Sequence, residues 1–270
     1  MSYNMTGQRA VVTGGGGAIA GAVAELLYAE GASVAIWDIS LEAARARADV
    51  IRRHEAPVVA MLCDVTSRES IRRAVEMTQN ELGGIDILVN GAGGSRQRTT
   101  TSEERYFFDI DPEDVRSVMD LNYLSTVMCC QEVGRIFAEQ GSGSIVNITS
   151  VAGAVPLTRA LAYCNGKAAA NSLTQWLAVH MVQNYATSIR VNAVAPGFVL
   201  TDQNRFLLID EDTGAMNARG EQVLHAVPVA RYGTAREIAE VVLFLASDRA
   251  SFVHGAIIPV DGGFSAHSGV

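Results

Sequence analysis

The run TGGGGAIA, from Thr13 to Ala20, limits what this chain can fold into more than any other stretch. Its four consecutive glycines stand between an apolar segment, Arg9 to Val12, and a helix-forming one, Ala18 to Glu30. Within the second segment Ile19, Val23, Leu26 and Leu27 share a side, and Gly31 supplies the stop. Glycine lacks a Cβ, so the backbone there can turn sharply and come close to a ligand, while the following helix offers free N–H groups and a positive dipole end. Strand, glycine turn and helix in that order make a phosphate-binding unit of a parallel sheet. The turn lacks the lysine and hydroxyl of a GxxxxGK[ST] loop, and so suits a dinucleotide better than triphosphate hydrolysis.

The rest of the chain repeats that rhythm. Ser33 to Trp37 reads as a buried strand ending in Asp38, Leu41 to His54 as a helix, Val58 to Met61 as a strand, Ser67 to Glu81 as an amphipathic helix, and Ile85 to Val89 as a fourth strand. Pro112 stands near the start of a long helix, followed by a strand at Ser144 to Ile148, a helix at Tyr163 to Tyr185 and a strand at Ile189 to Val194. Val241 to Leu245 belongs to a late helix and Ala256 to Val260 to a last strand. Short apolar runs alternating with longer amphipathic ones specify parallel strands joined by crossover helices. The expected fold is α/β, a Rossmann-type doubly wound parallel sheet of about seven strands in three α/β/α layers. No linker divides residues 1–270, so a single domain is expected. Two segments break the rhythm, 94–111 and 196–222; connections this long are often functional, and both are candidate lids.

Composition excludes several classes of function. With 49% hydrophobic residues in 270, the chain can bury a substantial core without disulfides or metal. Its net charge of −8 argues against a general nucleic-acid surface, which needs excess basic charge. No apolar run approaches the roughly 18 residues of a membrane span, and MSYNMTGQRA lacks the form of a secretory signal. A cytoplasmic protein without membrane or nucleic-acid partners is therefore expected. Cys63, Cys129, Cys130 and Cys164 form no CxxC pair and no zinc spacing, so no metal site is expected.

Asp38 ends the second strand, about 20 positions beyond the glycines, where a carboxylate accepts hydrogen bonds from an adenosine ribose. It would repel a 2′-phosphate, which favours NAD over NADP. Asp64 follows the third strand, where it serves a nucleotide or caps the next helix. Asn90, Gly91 and Ala92 open a second glycine cluster, NGAGG, after the fourth strand, suited to adenine and ribose against the sheet.

Tyr163 and Lys167 are four apart in a helical segment and project from one face, while Ser150 ends the strand thirteen residues before Tyr163. Lys167 is the only lysine among 21 basic residues, so this one position uses a compact, titratable ammonium where the chain otherwise uses guanidinium. A phenol has a pKa near 10, about three units too high for an efficient base at neutral pH, and a nearby ammonium favours phenolate.

Taken in order, the N-terminal glycines, Asn90-Gly91-Ala92-Gly93, Asn122, Ser150, Tyr163, Lys167 and Pro196-Gly197 resemble the classical short-chain dehydrogenase/reductase family across nearly the whole chain. The resemblance implies that Tyr163 is the general acid/base, that Ser150 orients and polarises the substrate oxygen, and that Lys167 lowers the tyrosine pKa and touches the nicotinamide ribose. Asn122 would hold a relay water beside Lys167. The implied NAD site comprises Gly14, Gly16, Gly17, Ala18, Ile19, Asp38, Asp64, Val65, Asn90, Gly91, Ala92, Tyr163, Lys167, Pro196, Gly197 and Val199. One departure stands out: the family's turn commonly reads TGxxxGxG, and this chain has Ala18 and Ala20 at its last two glycine positions.

Arg96, Arg98, Arg159 and Arg205, with Asn204 beside the last, are candidate substrate contacts, since a guanidinium fork suits a carboxylate. The stretches 195–208, 175–180 and 258–270 are similar to a branch that interconverts D-mannonate and D-fructuronate, implying a secondary alcohol of a sugar acid as substrate. A polyol or other sugar dehydrogenase, a 3-oxoacyl thioester reductase and a non-catalytic NAD-binding regulator stay open. The family likeness also implies a homo-oligomer, a tetramer built partly through the helices near 115–138 and 163–185.

Overall fold

In a computed structural model of the chain, the described residues are 2–53, 55–201, 205, 208–210 and 213–268. Seven parallel strands form one sheet: β1 (Arg9–Thr13), β2 (Ser33–Asp38), β3 (Val58–Leu62), β4 (Ile87–Asn90), β5 (Ser142–Ile148), β6 (Ser188–Pro196) and β7 (Ile257–Val260). The order across the sheet is β3-β2-β1-β4-β5-β6-β7, so the direction of winding reverses between β1 and β4. Ligands of doubly wound sheets bind outside the strand C-termini at such a reversal. Thr13 and Asn90, partners in the last register position of that pair, mark the crevice here.

Helices cover both faces: α1 (Ala18–Ala29), α2 (Leu41–Ile51), α3 (Arg68–Leu82), α4 (Pro112–Met119), α5 (Ser125–Gln140), α6 (Leu161–Asn184), α7 (Ala218–Ala226) and α8 (Ala235–Ala246). Successive strand residues point to opposite faces, and the core divides accordingly. Ala10, Val12, Val34, Ile36, Ile87 and Val89 pack with α1, α2 and α8. Val11, Ala35, Trp37, Leu88 and Ile145 pack with α3, α5 and α6. Buried on both faces, these strands read as continuous β-branched runs, which is why they were visible in the sequence.

Three elements differ from the sequence expectation. The helix opened by Pro112 does not run unbroken: one π-helical turn, Asp120–Leu124, separates α4 from α5. The strand expected from Ile85 pairs in register only from Ile87, and Asp86 just before it is held to Arg9 through its carboxylate and through Asp86 N–H to Arg9 O (2.8 Å). The excursion 196–222 holds the start of α7, capped where the Asn217 side chain accepts from Gly220 N–H.

Candidate active site

The glycine turn connects β1 to α1 with almost no room for side chains. A Cβ on Gly14, whose φ is +66°, would lie 2.9 Å from Ala92 Cα; on Gly15, 2.8 Å from Ile36 Cγ2; on Gly16, 2.7 Å from Ala43 Cβ. Gly17 caps α1 without a side-chain hydrogen bond, and the first turn, which includes Ile19, carries no acidic residue. Its positive end is thus left to an anion. Asp38 Oδ2 accepts from Gly16 N–H (3.0 Å) and Oδ1 from Ser40 N–H (2.9 Å), which fixes a carboxylate beside the turn. Thr13 Oγ1 accepts from both Gly91 N–H (3.0 Å) and Ala92 N–H (3.1 Å), holding the second glycine cluster at the end of β4. A glycine cradle, an open helix N-terminus and a ribose-seeking carboxylate fit a dinucleotide.

The other residues expected at this end are distributed along the same sheet edge. Asp64 does not cap α3; Ser67 does, and Asp64 Oδ1 instead closes a turn through Thr66 N–H and hydroxyl. Val65 beside it is buried. Pro196 ends β6, Gly197 N–H donates to Val260 O (3.0 Å), and Val199 bridges to Gly233. The two alanines at family glycine positions separate: Ala18 is exposed on the first turn of α1, whereas Ala20 is buried and a Cβ on Gly91 would come within 2.7 Å of its methyl.

Asn122, Ser150 and the pair Tyr163 and Lys167 come from three elements: the π turn, the end of β5 and α6. β5 delivers Ser150, whose Oγ accepts from Ala152 N–H (3.1 Å) and caps the 3₁₀ turn Val151–Gly153. Tyr163 and Lys167 stand one turn apart on α6, with the ammonium 5.8 Å from the phenol ring centroid. Burial pushes the Tyr163 phenol up, and a hydrogen bond with Ser150 draws it back. The lowering expected from the ammonium does not enter this balance; Lys167 Nζ donates to Ile148 O (2.9 Å). Lys167 itself is 5% exposed, and burial brings its pKa down to about 8. Asn122 sits in the π turn, with Nδ2 donating to Val118 O (2.9 Å) and Gly94 O (2.7 Å) and Oδ1 accepting from Gly94 N–H (3.0 Å). A Cβ on Gly93 would lie 2.8 Å from Asn122 Oδ1 and 3.0 Å from Lys167 Nζ, so bare backbone separates the two.

The candidate substrate arginines are exposed: Arg96 before and Arg98 within the 3₁₀ turn Gln97–Thr99, Arg159 before α6, and Arg205 in the excursion. Thr101 N–H donates to Arg159 O (3.0 Å), which joins segment 94–111 to the residues preceding Tyr163, and Arg159 takes a left-handed φ of +74°. Arg159, Thr101, Leu157 and Asn165 share the wall of a cleft beside the first turn of α6. Asn204 lies outside the described residues.

Sequence reasoning missed a polar ladder beneath the site. Asn90 Nδ2 donates to Asn147 Oδ1 (2.9 Å), and Asn147 Nδ2 donates to Thr174 Oγ1 (2.9 Å). All three are buried, and the ladder links the NGAGG turn to α6 two turns beyond Lys167. Its signal was the matching register of two asparagines near the ends of adjacent strands, Asn90 and Asn147.

A doubly wound sheet with a nucleotide crevice and a serine, tyrosine and lysine above it defines an α/β oxidoreductase. The family model described as enoyl-(acyl carrier protein) reductase matches residues 5–265, and the chain belongs to the classical short-chain dehydrogenase/reductase family. It is 36% identical over 276 residues to the uncharacterized oxidoreductase UxuB of Bacillus subtilis, covering 99% of this chain and 98% of that protein. The solved structure of a proposed D-mannonate oxidoreductase from Haemophilus influenzae, with bound NAD, superposes with a TM-score of 0.91 at 35% identity, covering 99% of this chain and 98% of that one. A D-threitol dehydrogenase of Mycolicibacterium smegmatis is 32% identical over 263 residues, 97% of this chain and 95% of its own length.

Proposed function

We propose that this NAD-dependent oxidoreductase interconverts the secondary alcohol and ketone of a six-carbon sugar acid, D-mannonate and D-fructuronate or a related hexonate. The observation that carries the chemistry is the convergence of Tyr163, Ser150 and Lys167 at the C-terminal edge of the sheet, next to a glycine cradle. Likeness to the proposed D-mannonate oxidoreductase supports the substrate. Gly14, Gly16, Gly17, Asp38 and the NGAGG turn would hold the dinucleotide, which when bound accepts or supplies the hydride.

The chain's own residues handle the proton. The Tyr163 hydroxyl gives a proton to the substrate oxygen in reduction and takes one in oxidation. Ser150 donates a hydrogen bond to the same oxygen, where charge develops. Lys167, held by Ile148 O, keeps a cation beneath the phenol, and Asn122 fixes the backbone of Gly94 on its other side. Arg96, Arg98, Arg159 and Arg205 meet the substrate carboxylate, segments 94–111 and 196–222 acting as lids. Exposed Trp176 and Val179 on α6, with Tyr185 just past its end, support a homotetramer assembled through that helix. The reading places the enzyme in the cytoplasm with its soluble substrates.

A second reading, oxidation of an uncharged polyol, is favoured by the likeness to D-threitol dehydrogenase. NAD reduction measured across hexonates, polyols and β-hydroxyacyl thioesters separates them. Hexonates are expected to give the highest kcat/KM, and a clear advantage for polyols would remove the arginine–carboxylate argument. Tyr163→Phe is the control: turnover should fall by about 10²- to 10⁴-fold with NADH binding retained.

A further inference from the structure

Ser150 is held at its place by a contact that no side chain makes. The 3₁₀ turn it caps closes through Gly153 N–H to Ser150 O (3.0 Å) and Ala154 N–H to Val151 O (3.0 Å), so Ser150 and Gly153 move as one unit. That unit rests directly on α6. A Cβ on Gly153 would lie 2.7 Å from both the carbonyl carbon and oxygen of Lys167, and 2.7 Å from Asn171 Nδ2. Backbone cannot yield as a flexible side-chain end can, so any substituent at 153 must lift the turn from the helix. Asn171, one helical turn beyond Lys167, is buried, and its Oδ1 has no hydrogen-bond partner among the described residues.

We propose that Gly153 is a positioning residue of the catalytic site, setting the distance between Ser150 and Tyr163 by letting the serine's turn seat on α6 at Lys167. It is not a catalytic residue, since it acts only through Ser150. The inference rests on the proposed roles of Ser150 and Tyr163. It goes beyond them by assigning their spacing to a glycine three residues after the serine, on the far side of the turn from the reacting atoms. A shift of about 1 Å in such a group is enough to cost roughly a hundredfold in rate.

The test compares Gly153→Ala, Ser150→Ala and the parent protein. Three quantities are read: the Tyr163 titration, taken as phenolate absorbance against the matching Tyr163→Phe protein, turnover of D-mannonate with NAD, and NADH affinity by fluorescence. Gly153→Ala is expected to raise the Tyr163 midpoint in the same direction as Ser150→Ala, to lower kcat about a hundredfold, and to leave NADH affinity within about twofold. Should Gly153→Ala not fold, Gly153→Ala/Asn171→Ala, which removes the amide facing the new methyl, carries the same readouts. If Ser150→Ala moves the titration and neither Gly153 variant does, the positioning role is overturned, even where melting temperature falls. If Ser150→Ala moves neither titration nor turnover, the role of Ser150 itself is overturned and this inference with it.

Discussion

Lys167 is 5% exposed with one protein acceptor, Ile148 O, and that isolation has a thermodynamic signature. Its folded pKa of about 8 lies below the ordinary 10.5 that the unfolded chain recovers. Between those values the unfolded state binds more protons, so raising pH through this window favours the folded state. The parent should gain up to about 3 kcal/mol relative to Lys167→Met across it, checked by urea unfolding of both proteins. A constant gap would show that the ammonium is not strained by burial. The two alanines at family glycine positions separate on the same logic of burial. Exposed Ala18 opens the first turn of α1, whose N-terminus would meet the dinucleotide, so Ala18→Gly should tighten NAD binding, read by calorimetry. Buried Ala20 packs against Gly91, so Ala20→Gly should leave affinity unchanged and cost about 1 kcal/mol of stability.

At the level of elements, the ladder from β4 through β5 to α6 makes a sharp claim. Asn147 is 1% exposed and serves Asn90 and Thr174 at once. Replacing it with leucine strands a buried amide and should cost about 2 to 3 kcal/mol by chemical denaturation, with the loss shared by variants of its partners. A loss no larger than that of a surface substitution would mean the ladder only fills space. The strands and the helices α1, α2, α3, α6 and α8 were legible in the sequence, because apolar period and glycine stops are local signals. Ser150, Tyr163 and Lys167 could be singled out as candidates for the same reason, since their spacing along the chain is itself local. What was not legible depended on distant partners. The π turn at Asn122 is tied to Gly94, 28 residues away, and Asp86, just before β4, is tied to Arg9 across 77 residues. Ser67 outcompeted Asp64 as the α3 cap, a choice between two neighbours that propensity alone does not decide.

For the molecule as a whole, the question is what covers the outer face of α6. Trp176, Val179 and Tyr185 are 61%, 53% and 55% exposed, and Trp176 stacks on His180 with ring centroids 4.6 Å apart. Large apolar side chains clustered on one helix face are unfavourable in water, and rigid aromatics are the residues around which interfaces concentrate their energy. Leu124, at the junction with α5, is also exposed, an apolar side chain on the other helix expected to meet a neighbour. A stable contact must bury roughly 1,200 Å² or more, which a single helix face does not supply but two adjoining helices from each of two copies can. The active-site face of α6, carrying Tyr163 and Lys167, points the other way, toward the sheet. Assembly through the outer face would therefore brace the helix that holds the catalytic pair without closing the crevice. Sedimentation velocity should show a tetramer for the parent protein and a smaller species for Trp176→Glu/Val179→Glu, with NADH affinity preserved in the variant. A monomeric parent would leave the aromatic face unexplained and remove the tetramer from the proposed function.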